Sequence, residues 1–323
     1  MRAGALPPPL REALACPVCH GPLAEDFSCA QCGLHFPVYQ GIPCLFAPGK
    51  EDLWAQNQSG LAEFFQENPA VAQNLEQAPE EILNGADLAA KAGLLQFQGR
   101  FREAAQLHRA AWRRCYPAEY IRAFEAQLDG IAAQAADCPG PVVDIASGRG
   151  MLISRMLEKT AVPLAATDIS PSVLDEYQAN RWPEQLESGR LTHLAFDANA
   201  MPFADGSLPV LTSCLGLQNI PNPEKTVREL RRVCGGKLYV LCCFFSEEDR
   251  ENQEAAARLG LAGAFSQAAL TAMLEGAGWR VSALEGRSFR QPPTPEGEVV
   301  PGMRVDALPV RETEARFTTL LCE

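Results

Sequence analysis

The sequence predicts an α/β protein in three parts: a small four-cysteine module, a helical segment, and a doubly wound, mostly parallel sheet with helices on both faces. Three observations carry this reading. Paired C-x-x-C spacings stand near the start, good helix formers (Ala, Leu, Gln, Glu, Arg) crowd the middle, and from Pro141 onward short apolar runs alternate with glycine-bearing turns and helical patterns. The boundaries so drawn are 1–48, 49–138 and 139–323.

A chain of 323 residues exceeds the usual size of one domain, and 47% hydrophobic against 21% charged residues suffices for a sizeable core. The net charge of -12 argues against a nucleic-acid partner, which normally meets a basic face. Arg109, Arg113 and Arg114 form a local basic cluster that reads as a solvated helix face. The stretch from Met1 to Leu14 is broken by Pro7, Pro8 and Pro9 and has no long apolar core, so no secretory signal is expected. The longest apolar run, Leu238 to Phe245, falls short of the ~20 residues a membrane helix needs. A cytoplasmic protein with reduced thiols is the expectation.

In the first part, Cys16 and Cys19 form one knuckle and Cys29 and Cys32 a second. Two such turns brought together complete the tetrahedral sulfur shell that zinc prefers, and a module this small needs an ion to fold. Redox chemistry at a single C-x-x-C needs a thioredoxin-like strand and helix, for which the flanking sequence gives no sign. His20, His35 and Cys44 lie close by and read as packing or surface residues. The run Gly33 to Phe46, with Gln40-Gly41 at its centre, reads as a β-hairpin. Together with the knuckles it resembles the small Trm112-like zinc ribbons, which implies a closed structural site that contacts its own following domain or a partner protein.

Pro69, Pro79 and Pro117 divide the middle into several helices. Residues 99–111 look like part of a tetratricopeptide hairpin, but without a second copy they imply a lid or spacer rather than a solenoid.

The third part opens with a short strand, Pro141 to Asp144, a turn containing Gly148 and Gly150, and a helix over Met151 to Lys159. At the carboxyl end of a parallel strand such a turn lets a ligand approach the backbone. A second strand, Pro163 to Asp168, ends in an acid placed for ribose hydroxyls, and Ser170 and Pro171 open the next helix. A third, Leu191 to Phe196, ends at Asp197 and contains His193, read as a core or surface histidine. Ala198 to Ser207 follow, then Gly216 to Ile220 after strand four, and Glu229 to Val233 with Gly235-Gly236 before strand five.

In this order the segments are similar to the class I S-adenosylmethionine-dependent methyltransferases of the type 11 and UbiE-like kind, over roughly residues 141–281. The resemblance implies a seven-stranded Rossmann-like sheet and S-adenosylmethionine as cofactor. It implies that Asp144, Gly148 and Gly150 frame the methionine end, that Asp168 binds the ribose, that Asp197 and Ala198 contact the adenine, and that Ala146, Ser147 and Ile169 also bind the cofactor. Cys214, Leu215, Gly216 and Leu217 line the floor beneath the sulfonium. Ala146 departs from the family, which has glycine there; Pro209 replaces an Asp, and the turn Arg232 to Gly236 is two residues shorter.

An activated sulfonium methyl needs little beyond an aligned nucleophile and the exclusion of water, and the sequence offers no convincing general base. Tyr120, Gln218 and Asn219 are the substrate-side candidates. Gly278 to Leu284 and Ala315 to Cys322 read as strands closing the sheet, with a proline-bearing loop between them that shapes the acceptor pocket. The expected activity is methylation of a small molecule. Ribosomal or transfer RNA methylation is the alternative, and a catalytically silent scaffold a third reading.

Overall fold

A computed structural model of the chain describes residues 6–49, 55–261 and 263–323. Helix α1 (Pro8–Ala13) starts on prolines whose fixed φ suits a first helical turn. A cysteine-bearing loop then leads to the hairpin of β1 (Val38–Tyr39) and β2 (Ile42–Pro43). Gln40 and Gly41 take positive φ values of 48° and 86°, as a tight two-residue turn between antiparallel strands requires.

Helices α2 (Ala55–Glu67), α3 (Pro69–Gln77), α4 (Gly85–Phe97), α5 (Phe101–Cys115) and α6 (Ala118–Ala135) make up the middle. The prolines divide them as expected: Pro69 opens α3, Pro79 precedes a 3-10 turn, and Pro117 caps α6. Helices α4 and α5 form an antiparallel hairpin about Gly99, whose φ is 76°. Leu88, Leu94 and Leu107 bury one core there, which Val300 joins from far along the chain.

The remainder alternates strand and helix: β3 (Val142–Asp144), α7 (Met151–Lys159), β4 (Leu164–Asp168), α8 (Pro171–Val173), α9 (Pro183–Glu187), β5 (Leu191–Ala195), β6 (Leu208–Cys214), α10 (Pro223–Val233), β7 (Cys234–Phe245), α11 (Arg250–Arg258), α12 (Gln267–Gly276), β8 (Val281–Ala283), β9 (Arg287–Gln291) and β10 (Thr313–Cys322). The sheet order is β5-β4-β3-β6-β7-β10-β8. Neighbours from β5 to β7 are parallel, while β10 runs antiparallel between β7 and β8. These are the seven strands expected, and β9 adds an eighth, paired to β10 inside what reads in sequence as a loop. The order reverses between β3 and β6, which opens a crevice at the carboxyl ends of those strands.

The N-terminal module docks on the sheet's edge. Leu45 N–H donates to the Ala195 carbonyl at 2.7 Å, and Cys44 bridges Ala195 in parallel, so β5 is covered rather than left as an open edge. Ala15 N–H donates to Pro202 O and Ala204 N–H to Ala13 O, at 2.9 and 2.8 Å. Leu10, Leu14, Phe36 and Leu45 share one buried cluster with Phe196 and Phe203. The module is built into the core of the domain that follows it.

Candidate active site

The four thiols converge. Every pair of sulfurs among Cys16, Cys19, Cys29 and Cys32 lies within 4.8 Å, with Cys16 to Cys32 at 3.6 Å and Cys19 to Cys29 at 3.4 Å. The backbone N–H of Cys32 is the main influence holding the Cys29 thiol down at about 7, while burial pushes the Cys16 thiol up to about 12. His20 and His35 are exposed and stand outside the group, while Cys44 is buried in the packing against β5.

At the carboxyl ends of the strands, the turn after β3 is held by a hydrogen-bond mesh. Ser147 Oγ donates to Asp144 O at 2.9 Å and accepts from Thr167 N–H at 3.0 Å, tying the turn to β4. Asp168, at the tip of β4, accepts from Gly148 N–H at 2.9 Å and from Ser170 N–H at 3.0 Å, one bond on each oxygen. Ser170 Oγ accepts from Val173 N–H, capping α8 as expected. A π-helical turn, Leu174–Ala179, then aims Gln178 back at the glycine turn, where it donates to Gly148 O at 2.9 Å.

Asp144 is buried; its Oδ1 accepts from Thr212 Oγ1 at 2.7 Å and its Oδ2 has no partner. Burial, chiefly, pushes its carboxyl up to about 7. An orphaned buried oxygen is costly unless a ligand donor meets it. Gly150 has φ 72°, and a Cβ there would lie 2.9 Å from the Trp182 ring, so a side chain is excluded twice over. Ala146 adopts φ 54°, and a Cβ on Gly216 would sit 2.8 Å from its methyl group. The departure at Ala146 is therefore accommodated by a glycine on the facing strand end. Ile169 follows Asp168 into the same turn, partly exposed. Asp197 stands after β5 and accepts from Asn199 N–H at 2.8 Å, with Ala198 partly exposed beside it. Cys214 ends β6 and Leu215 follows it with a positive φ of 58°, and burial raises the Cys214 thiol well above its ordinary range.

Next to the β6 tip lies a cavity of about 150 Å³ that brings together the three substrate-side residues. Tyr120 and Asn219 line it. Gln218 does too, with its amide engaged by the backbone. It donates to Cys243 O at 2.8 Å and Ala264 O at 2.6 Å, and accepts from Cys243 N–H at 2.8 Å, so it pins β7 to the loop before α12. Sequence reasoning missed Asp306, which comes from the loop between β9 and β10, lines the same cavity and accepts a hydrogen bond from Tyr116 Oη. Tyr116 and Tyr120 stack at 4.3 Å. His193 is a core residue, buried in β5, and burial lowers its imidazole to about 4.

Residues 143–240, from within β3 to within β7, match the family model described as a methyltransferase domain. The matched segment is similar to methyltransferase domains, and it covers the parallel, doubly wound part of the sheet from β3 to β7. An uncharacterized protein of Mycobacterium tuberculosis is 33% identical over 141 residues, 42% of this chain and 50% of its own length. The ubiquinone/menaquinone biosynthesis C-methyltransferase UbiE of Rhizobium etli is 36% identical over 112 residues, 33% of this chain and 42% of its own length. The chain thus spans half or less of the length of these relatives. Among solved structures, the YcgJ protein of Bacillus subtilis aligns with a TM-score of 0.47 at 14% identity, covering 61% of this chain and 98% of its own. No described helix is long and apolar enough to cross a membrane.

Proposed function

We propose that this chain is an S-adenosylmethionine-dependent methyltransferase acting on a small molecule, with a structural zinc ion in its N-terminal module. The observation that carries the reading is the pair of strand-tip carboxylates on one glycine turn: Asp144 with an unpaired buried oxygen, and Asp168 held by backbone N–H groups of the turn and of the next helix start. Asp144 suits the ammonium of the methionyl end, and Asp168 suits the ribose diol. Gly148, where an added Cβ would meet open space, leaves the backbone approachable between them. Ala146, Ser147 and Gly150 complete the turn, Ile169 flanks the ribose side, Asp197 and Ala198 hold the adenine, and Cys214, Leu215 and Gly216 form the floor.

The bound cofactor supplies an activated methyl; the chain's residues hold it, orient the acceptor and exclude water. The aromatic wall that includes Tyr120 does the excluding. Four sulfur atoms within 4.8 Å of one another are the donor set of a closed structural zinc site rather than a catalytic one. We further propose the divisions 1–48, 49–138 and 139–323 as ribbon, helical lid and catalytic domain. The net charge of -12 favours a small acceptor over RNA. Incubating the protein with methyl-labelled S-adenosylmethionine and cell extract, with and without ribonuclease, tests this. Label in the small-molecule fraction that survives the nuclease is expected, and label lost with nuclease contradicts the acceptor class.

A further inference from the structure

The cavity beside the β6 tip carries one charged side chain among its lining residues, Asp306. The rest of the wall is largely apolar and aromatic. Phe245 and Phe265, which both line it, stack at 4.7 Å, and Tyr120 presents a third ring. Gln218 is spent on the backbone, Gln291 is buried with its Oε1 toward the Cys243 thiol, and the Asn219 amide donates to Leu215 O. Asp306 has a hydrogen bond from the neutral Tyr116 hydroxyl; Arg149 acts on it through its charge but makes no ion pair with it, its guanidinium lying against His108 and the Tyr177 ring.

A largely desolvated carboxylate without an ion-pair partner in contact is costly, and burial raises the Asp306 carboxyl despite the Tyr116 hydrogen bond and the Arg149 charge. A cation entering the cavity removes that cost, and ring faces add to its attraction. The long loop that delivers Asp306 is anchored at both sides of it. Asp87, buried in the first turn of α4, accepts the N–H groups of Glu298, Val299 and Val300 at 2.9 to 3.0 Å, and Asn252 accepts from Val310 N–H at 2.7 Å. So the carboxylate is held in place rather than carried on a free loop. A volume of about 150 Å³ holds a single benzene-sized ring.

Resting on the methyltransferase reading above, we infer that the methyl acceptor is a small amine, whose protonated nitrogen pairs with Asp306 in this aromatic cavity. Asp306 then takes the proton that blocks the nitrogen. The N–H bond breaks and its proton passes to the carboxylate, which frees the lone pair. That pair forms the new N–C bond while the S–C bond breaks, its electrons staying on sulfur as a neutral thioether. The N-methylated product leaves as a cation, and Asp306 returns its proton to solvent, one proton per turnover.

Calorimetric titration of the full chain with benzylamine and with benzyl alcohol, which share a ring and differ in charge, tests the assignment. Benzylamine is expected to bind at one saturable site at least about tenfold more tightly, and D306N to lose that preference. Equal affinities, no saturable binding of either probe, or a preference that persists in D306N overturns it. Should D306N fail to fold, the wild-type pair decides alone, tenfold supporting and less overturning. A parallel titration with S-adenosylhomocysteine is scored separately. No binding there sinks the methyltransferase reading itself, whereas binding without an amine preference sinks only the amine.

Discussion

Asp144 and Asp168 differ in what the fold leaves them. Asp168 is held by backbone N–H groups, while Asp144 keeps one oxygen buried and unpaired. Because burial raises the folded-state Asp144 carboxyl from an ordinary 3.8 to about 7, the folded chain holds a proton there that the unfolded chain has released between those values. The native state then binds more protons than the unfolded one, so this group's contribution to stability is present at low pH and is lost as pH rises from about 4 to about 7. Thermal unfolding of wild type and Asp144→Asn across that window is expected to show a steeper decline in wild type, with the variant relatively more stable at neutral pH. Parallel curves for the two proteins would contradict the assignment of the decline to Asp144. Asp87 makes the opposite case, a buried carboxylate fully used. Asp87→Ala takes the acceptor from the N–H groups of residues 298–300, of which that of Val300 is buried and left unsatisfied at about 1 to 3 kcal/mol, and should raise their hydrogen exchange while lowering Tm.

At the scale of elements, the glycine turn is the piece with least tolerance. Gly150→Ala forces an L side chain into left-handed backbone against the Trp182 ring, and urea unfolding should register a loss of about 2 kcal/mol or more. The strands that build the sheet from β3 to β7 were readable because each is a short apolar run ending in a turn signal, and Ser170-Pro171 announced α8. The elements that were not readable have physical reasons. Strand β9, Arg287–Gln291, alternates exposed and buried positions with Phe289 as its one large apolar residue, a pattern too thin to distinguish from loop. Gly235 and Gly236 look like a turn before a strand, yet they lie inside β7. An added Cβ would meet Gly206 O at 2.3 Å and Pro209 O at 2.2 Å, so they mark close backbone approach along an irregular β6–β7 register. The polar run after β6 gave no sign that Gln218 points inward, because burial of an amide depends on carbonyls on β7 and before α12, far away in sequence. Asp306 was invisible for the same reason: nothing local to it says that Tyr116 and Tyr120 wait across the cavity.

Across the whole molecule, the N-terminal module and the sheet act as one folded body, since the module covers the β5 edge and contributes Leu10, Leu14, Phe36 and Leu45 to a shared core. If zinc organises that module, removing it strips cover from Phe196 and Phe203 as well. The purified chain is then expected to hold one zinc ion, and Cys19→Ser to lower the single unfolding transition of the entire chain by about 2 kcal/mol or more, because both metal energy and shared apolar burial are lost. Two separate transitions in the variant would contradict this coupling. The helical part closes over the other end of the sheet, where α6 packs its aromatic side chains on β9 and β10 and α4 clasps the loop that carries Asp306. Everything converges on the crevice between β3 and β6. Titrating wild type and Asp168→Ala with S-adenosylmethionine tests that convergence most directly. One saturable site in wild type, weakened at least about tenfold by loss of the carboxylate's bonds, is the expected result; no saturable heat in wild type, or equal affinity in the variant, would contradict it.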